Sequence, residues 1–153
     1  MREVLFVCTA NICRSPMADT IFNELARERG AVLRAQSAGV SALVGEEIAE
    51  NSMKVLQEIG IPMDHEHRAR QVSPELVGEA DIILAMSSQH VAALRKQFPG
   101  EAGKIHKLPD YALGLSDAES ISDPYGHSIA SYRASVRQIF EYVEQALDRM
   151  QRA

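Results

Sequence analysis

Long apolar runs are missing from this sequence. The first one, Val4 to Cys8, is far too short for a secretory signal or a membrane span. A soluble, cytoplasmic chain with no membrane partner is therefore expected. Cysteine is scarce as well, with only Cys8 and Cys13 present. Two cysteines so close together make no disulfide framework, and no second pair exists to complete a zinc site. Positive charge is not in excess: 16 Lys and Arg stand against 21 Asp and Glu, a net charge of −5 with both signs scattered. That speaks against a nucleic-acid partner. Internal repeats and interdomain linkers are also lacking. What remains is 153 residues of ordinary globular composition, enough for a single domain over 1–153 with its own core.

Short apolar runs alternate with helical periods along this length. Residues 3–8 read as a buried strand, rich in β-branched and aromatic side chains. Ser15-Pro16 opens a helix to about Arg29, with Met17, Ala18, Ile21, Phe22, Leu25 and Ala26 on one face and Gly30 as its stop. Further strands are predicted over 33–38, 81–86 and 104–108, and further helices over 48–59, from Ser73-Pro74, and over 87–98. The stretch 61–71 is polar and is expected on the surface. Residues 109–127 have no sustained period and read as a long functional loop. Ile129, Tyr132, Val136, Ile139, Phe140, Val143, Leu147 and Met150 mark a long amphipathic C-terminal helix. Strands alternating with helices imply an α/β fold: one three-layer domain, its parallel sheet flanked by helices on both faces. Ligands in such folds bind beyond the carboxyl ends of the strands, which is where the first strand delivers Cys8.

The pattern C-x5-R-S occupies the turn from that strand into the first helix, over Cys8-Thr9-Ala10-Asn11-Ile12-Cys13-Arg14-Ser15. A loop this short can wrap one phosphate with its N–H groups, and the helix start adds its positive dipole end. Arg14 can take two phosphate oxygens through its planar fork. The same donors favour a thiolate on Cys8, which can attack phosphorus and form a phosphocysteine. Ser15 could donate to the sulfur, and Asn11 could fix the loop backbone. Cys13 either packs or pairs with Cys8 on oxidation. Expelling an alkoxide or phenolate needs a proton donor, and no histidine lies near Cys8 in sequence. The long loop offers Asp110, Asp117, Glu119 and Asp123; Asp123 is preferred because Pro124 and Gly126 shape its turn, although an ordinary Asp-Pro turn would read the same.

Taken together, these motifs resemble the low-molecular-weight protein tyrosine phosphatases over nearly the whole chain. The resemblance rests on Val7 to Ala18, Ser37-Ala38-Gly39, His67 to Gln71, Asp81 to Met86 and Asp123-Pro124. It implies a four-stranded parallel sheet, no metal, no cofactor, and a phosphorylated protein as substrate and partner; a monomer is expected. It also implies Cys8 as nucleophile, Arg14 as phosphate clamp and Asp123 as general acid and base. Thr9, Ala10, Asn11, Ile12, Cys13, Arg14 and Ser15 would bind the phosphate. Asn11, Ser15 and Ser37 would support the loop; His67 either joins them or is a plain surface histidine.

Ile12, Leu43 and Tyr125 would line the substrate pocket. A subgroup of the family that hydrolyses phosphoarginine is similar in several stretches but carries threonine where this chain has Ile12. Leu43 or a neighbour stands where many tyrosine phosphatases place an aromatic wall. Phosphotyrosine is the expected substrate, and phosphoarginine the alternative. A phosphocysteine carrier is the alternative of a different class, but it would not need Arg14 and Asp123 together. A relay through further cysteines, as in related arsenate reductases, has none to use.

Overall fold

The computed structural model describes residues 2–152, so the two ends of the expected domain, Met1 and Ala153, lie outside the described residues. Four strands form one sheet: β1 (Arg2–Cys8), β2 (Leu33–Gly39), β3 (Ile82–Ala85) and β4 (Ile105–Lys107). Their order is β2-β1-β3-β4 and every pairing is parallel. Among the described residues, six α-helices accompany them, α1 (Arg14–Glu28), α2 (Glu50–Glu58), α3 (Pro74–Glu79), α4 (Ser88–Gln97), α5 (Leu108–Leu113) and α6 (Ile129–Arg152), with a short 3-10 helix at Pro99–Lys104.

The alternation of side chains along β1 divides the core in two. Val4, Phe6 and Cys8 face a cluster built with α1, α2, α5 and α6. Leu5 and Val7 face a smaller cluster built with α3 and α4. The sheet is thus covered on both faces, which is why its central strands carry no polar face. Along α6, Tyr132, Val136, Ile139, Val143, Leu147 and Met150 are all buried, as the apolar stripe demands. Burying each such side chain contributes about 1.5–3 kcal/mol.

Two sequence expectations are corrected. Residues 109–127 are not loop throughout, because α5 occupies Leu108–Leu113 at their start. Pro109 sits in its first turn and Gly114 closes it at φ 68°. A helix of six residues spans too few turns to display a period, so its caps were the only signal. The stretch 61–71 is not simply surface either. Ile61 and Ala69 are buried, and Arg70 and His67 are partly buried against the loop after β1. These two polar side chains point inward because main-chain groups there need partners: His67 meets the Asn11 carbonyl of that loop, and Arg70 donates to the Ser37 carbonyl of β2.

Candidate active site

β1 ends at Cys8, beside Gly39 at the end of β2, and α1 begins at Arg14. The chain between them is held from outside by its carbonyls. Those of Cys8, Thr9 and Ala10 accept the N–H groups of Val40, Ser41 and Leu43 at 3.0, 2.9 and 3.1 Å. The Asn11 carbonyl accepts from His67 Nε2 at 2.7 Å, and that of Ile12 from the Ala49 N–H at 2.8 Å. In a planar trans peptide the next N–H points the opposite way. Five successive carbonyls drawn outward therefore turn five N–H groups toward the concave side, which makes an anion nest. Asn11 bends the loop at φ 62°, a left-handed conformation that asparagine tolerates better than most residues. Gly39 lets the loop approach: a Cβ there would lie 2.3 Å from the Thr9 carbonyl oxygen.

The side chains beneath the loop form a directed set of hydrogen bonds. Asn11 Nδ2 donates to Ser15 Oγ at 2.8 Å and to Ser37 Oγ at 3.0 Å, and Asn11 Oδ1 accepts the Arg70 N–H at 3.0 Å. Turning the amide over would set NH2 against that N–H, so its orientation is fixed. Both hydroxyls accept from Asn11 and must send their own protons elsewhere. For Ser15 the nearest acceptor is Cys8 Sγ at 3.0 Å, closer than the Ala38 carbonyl at 3.5 Å. The expected supporting residues Asn11, Ser15 and Ser37 are thus brought together, and all three are buried. His67 joins them through the Asn11 carbonyl. Burial lowers the His67 pKa, with that carbonyl working the other way.

Arg14 is 5% exposed, and its Nη1 donates to the Ile121 carbonyl at 3.1 Å. Its Nη2 lies 3.5 Å from Asp123 Oδ2. Asp123 itself is half in solvent, so this contact contributes little to stability; its value is to place a carboxyl group at the loop's mouth. Asp123 Oδ1 also accepts the Tyr125 N–H at 3.1 Å, the short-range turn that its sequence suggested. A cavity of about 260 Å³ opens over the loop between Thr9, Ala10, Ile12, Arg14, Ser41, Leu43, Asp123 and Tyr125. Leu43 and Tyr125 are exposed on its rim, whereas Ile12 is buried in its wall. Asp110, Asp117 and Glu119 do not line it. Cys8 and Cys13 are both buried and unbridged. Burial raises the Cys13 thiol pKa, and its Sγ lies 3.6 Å from Tyr132 Oη.

Three residues that sequence reasoning passed over belong here. His90 Nε2 lies 2.8 Å from Thr9 Oγ1, and its Nδ1 lies 2.9 Å from Ser87 Oγ, which also caps α4. The signal was available: His90 begins a helix at the carboxyl end of a central strand, where such folds gather functional groups. Arg70 lies within the His67–Gln71 stretch of the resemblance but had no role assigned, and Asp19 carried no signal, because only the tertiary fold brings the Arg70 N–H to Asn11 and Asp19 to Ser37.

Asp19 and His90 make opposite contributions to the pH dependence of stability. Burial pushes Asp19 up to about 6 from 3.8, with the Ser37 hydroxyl opposing. Burial pulls His90 down to about 4 from 6.5, with Arg14 adding to it. For Asp19 the folded state binds the proton more tightly, so its stabilisation is complete below pH 3.8 and is lost as pH rises through 6. For His90 the unfolded state binds it more tightly, so stability is complete above pH 6.5 and falls as pH drops toward 4. Each amounts to about 3 kcal/mol, and they largely cancel between pH 4 and 6. Urea unfolding of Asp19→Asn should show stability climbing through that window, and His90→Gln should show it falling. Slopes matching the unsubstituted protein in both variants would remove this assignment.

A buried thiol, a buried arginine and a carboxyl group thus stand together around one short loop at the carboxyl end of an α/β sheet. The family described as low molecular weight phosphotyrosine protein phosphatase matches residues 3–153, and the chain belongs to that family. Among its relatives is a protein-arginine-phosphatase of Bacillus subtilis, 32% identical over 143 residues, covering 94% of this chain and 93% of that protein. A second is the low molecular weight protein-tyrosine-phosphatase YfkJ of the same organism, 38% identical over 129 residues, covering 82% of this chain and 81% of that one. The solved structure of a Bacillus subtilis YwlE mutant superposes with a TM-score of 0.92 at 30% identity, over 99% of both chains. The single α/β domain and its parallel sheet are those of the family, and the chain is a cysteine-dependent phosphatase. Among the described residues, no helix is long and apolar enough to cross a membrane.

Proposed function

We propose that this chain hydrolyses phosphotyrosine in proteins through a phosphocysteine on Cys8. Cys8 Sγ attacks phosphorus as a thiolate, forming the S–P bond while the bond to the phenolic oxygen breaks. Asp123 gives its proton to that leaving oxygen. A water molecule then attacks phosphorus, the S–P bond breaks, inorganic phosphate leaves, and Asp123 takes the water's proton. Arg14 and the loop N–H groups carry the phosphoryl charge throughout. Ser15, already donating toward Sγ, stabilises the departing thiolate. The observation that carries this reading is the convergence of Arg14 and Asp123, 3.5 Å apart, over the loop that Cys8 begins. A phosphocysteine carrier would have no use for a proton donor there. Under this reading the partner is a phosphorylated protein, met by a single copy of the chain in the cytoplasm.

The walls favour tyrosine. Leu43, Ile12 and Tyr125 offer apolar and aromatic surface to a flat ring. A guanidinium would bring several N–H donors, and the wall carries one carboxylate, Asp123, already beside Arg14. The second reading, phosphoarginine, is favoured by the relative named for that activity over 94% of this chain. A side-by-side turnover assay decides between them. Phosphotyrosine peptide should be the better substrate, and Ile12→Thr should narrow its advantage over a phosphoarginine peptide. A preference for phosphoarginine in the unsubstituted protein would overturn the choice.

A further inference from the structure

The loop carrying Asp123 hangs on a buried lysine that phosphate chemistry does not use. Lys107 ends β4 and is 5% exposed. Its ammonium donates to the Ala118 carbonyl and, at 3.1 Å, to Ser88 Oγ, and stands 3.8 Å from Asp110 Oδ1. The same Asp110 oxygen accepts the Ala118 N–H at 2.7 Å. One ion pair therefore grips Ala118 at both of its main-chain groups.

The tethering continues toward the site. Ser120 Oγ accepts the Ser88 N–H at 3.3 Å, and the Ile121 N–H donates to the Met86 carbonyl at 2.9 Å. The Ile121 carbonyl is the one that receives Arg14 Nη1, and Asp123 lies two residues on. Between Gly114 and Ser128 the chain has no helix or strand, so its path is set by such tethers: these on the Ala118–Ile121 side, and on the other side Ser122, whose N–H donates to Gln138 Oε1 at 3.2 Å and whose carbonyl accepts from Ser135 Oγ at 2.8 Å. A buried ammonium is costly unless paired and hydrogen-bonded, and an apolar side chain would fill the end of β4 as well. This one instead donates to the acid loop and to the start of α4, with its counter-ion Asp110 at ion-pair distance.

We propose that Lys107, paired with Asp110, is a positioning residue for the general acid: it fixes the Ala118–Ile121 segment and so sets Asp123 over the phosphate loop. This rests on the phosphatase reading above. Displacing an acid by about 1 Å costs on the order of 10²-fold, and the loss falls on the step that needs the proton.

The test compares phenyl phosphate, a poor leaving group, with 4-nitrophenyl phosphate, a good one. Lys107→Met keeps the apolar stem and removes the donors. It should lower kcat on phenyl phosphate by about 10- to 100-fold while changing 4-nitrophenyl phosphate by a few-fold at most. Inhibition by inorganic phosphate should be unchanged, and Lys107→Arg should recover much of the loss. In an Asp123→Asn background, Lys107→Met should add nothing further. Asp110→Ala, at a less buried position, should give the same leaving-group pattern and serves if Lys107→Met does not fold. Equal losses on both esters, or additive losses with Asp123→Asn, would overturn the proposal. If the unsubstituted protein hydrolyses neither ester, the phosphatase reading itself fails; if it hydrolyses both and the variants show no leaving-group dependence, only this inference fails.

Discussion

Cys8→Ser should abolish turnover, by a factor on the order of 10⁶, the scale on which hydrolases lose activity when a covalent nucleophile is removed. The fold should survive. Cys8 lies at the end of β1 with its backbone paired to β2, and an oxygen in place of sulfur leaves only a small void beside Ser15. Phosphate binding should survive too, because the carbonyls that shape the nest are held by Val40, Ser41, Leu43, His67 and Ala49, none of which touches the sulfur. Turnover of a phosphotyrosine peptide, calorimetric binding of inorganic phosphate and a thermal melt separate these effects. Hydrolysis persisting in the serine variant would mean that the attacking atom is not Cys8 Sγ.

Asp123→Asn should slow release of poor leaving groups by about 10²–10⁴-fold and good ones far less. Asparagine keeps an oxygen for the Tyr125 N–H, so the turn itself should persist. It cannot supply the proton that a phenolate needs. Rates for a series of aryl phosphates, plotted against leaving-group basicity, should become steeper in the variant. Parallel lines for the two proteins would show that the leaving oxygen takes its proton from another group, or needs none.

The sequence made the strand–loop–helix setting legible because β1, the loop and α1 are contiguous. Their residue types act at short range: β-branched and aromatic side chains in the strand, asparagine in the bend, Pro16 in the first helical turn, Gly30 after the last. The stripe on α6 was legible because it repeats over many turns, whereas α5 was not, having too few. The stretch 61–71 misled because its polar residues look solvated until a buried loop supplies their partners. Asp123 was preferred among four carboxylates by its turn and by the family resemblance; the fold sets it 3.5 Å from Arg14 and leaves the other three outside the cavity.

Short-range pattern, then, determined the strand–loop–helix segment around Cys8 and the order of strands and helices, since each is written within a few consecutive residues. Tertiary structure decided the rest. It set Asp123 beside Arg14, drew His67 and Arg70 to Asn11 and His90 to Thr9, and hung the Asp123 loop on Lys107 and Asp110. The reason is that most of these contacts join residues far apart in the chain, and the nearer ones, from Lys107 and Asp110 to Ala118, cross an irregular loop; in both cases a hydrogen bond leaves no period or spacing in the sequence between its partners.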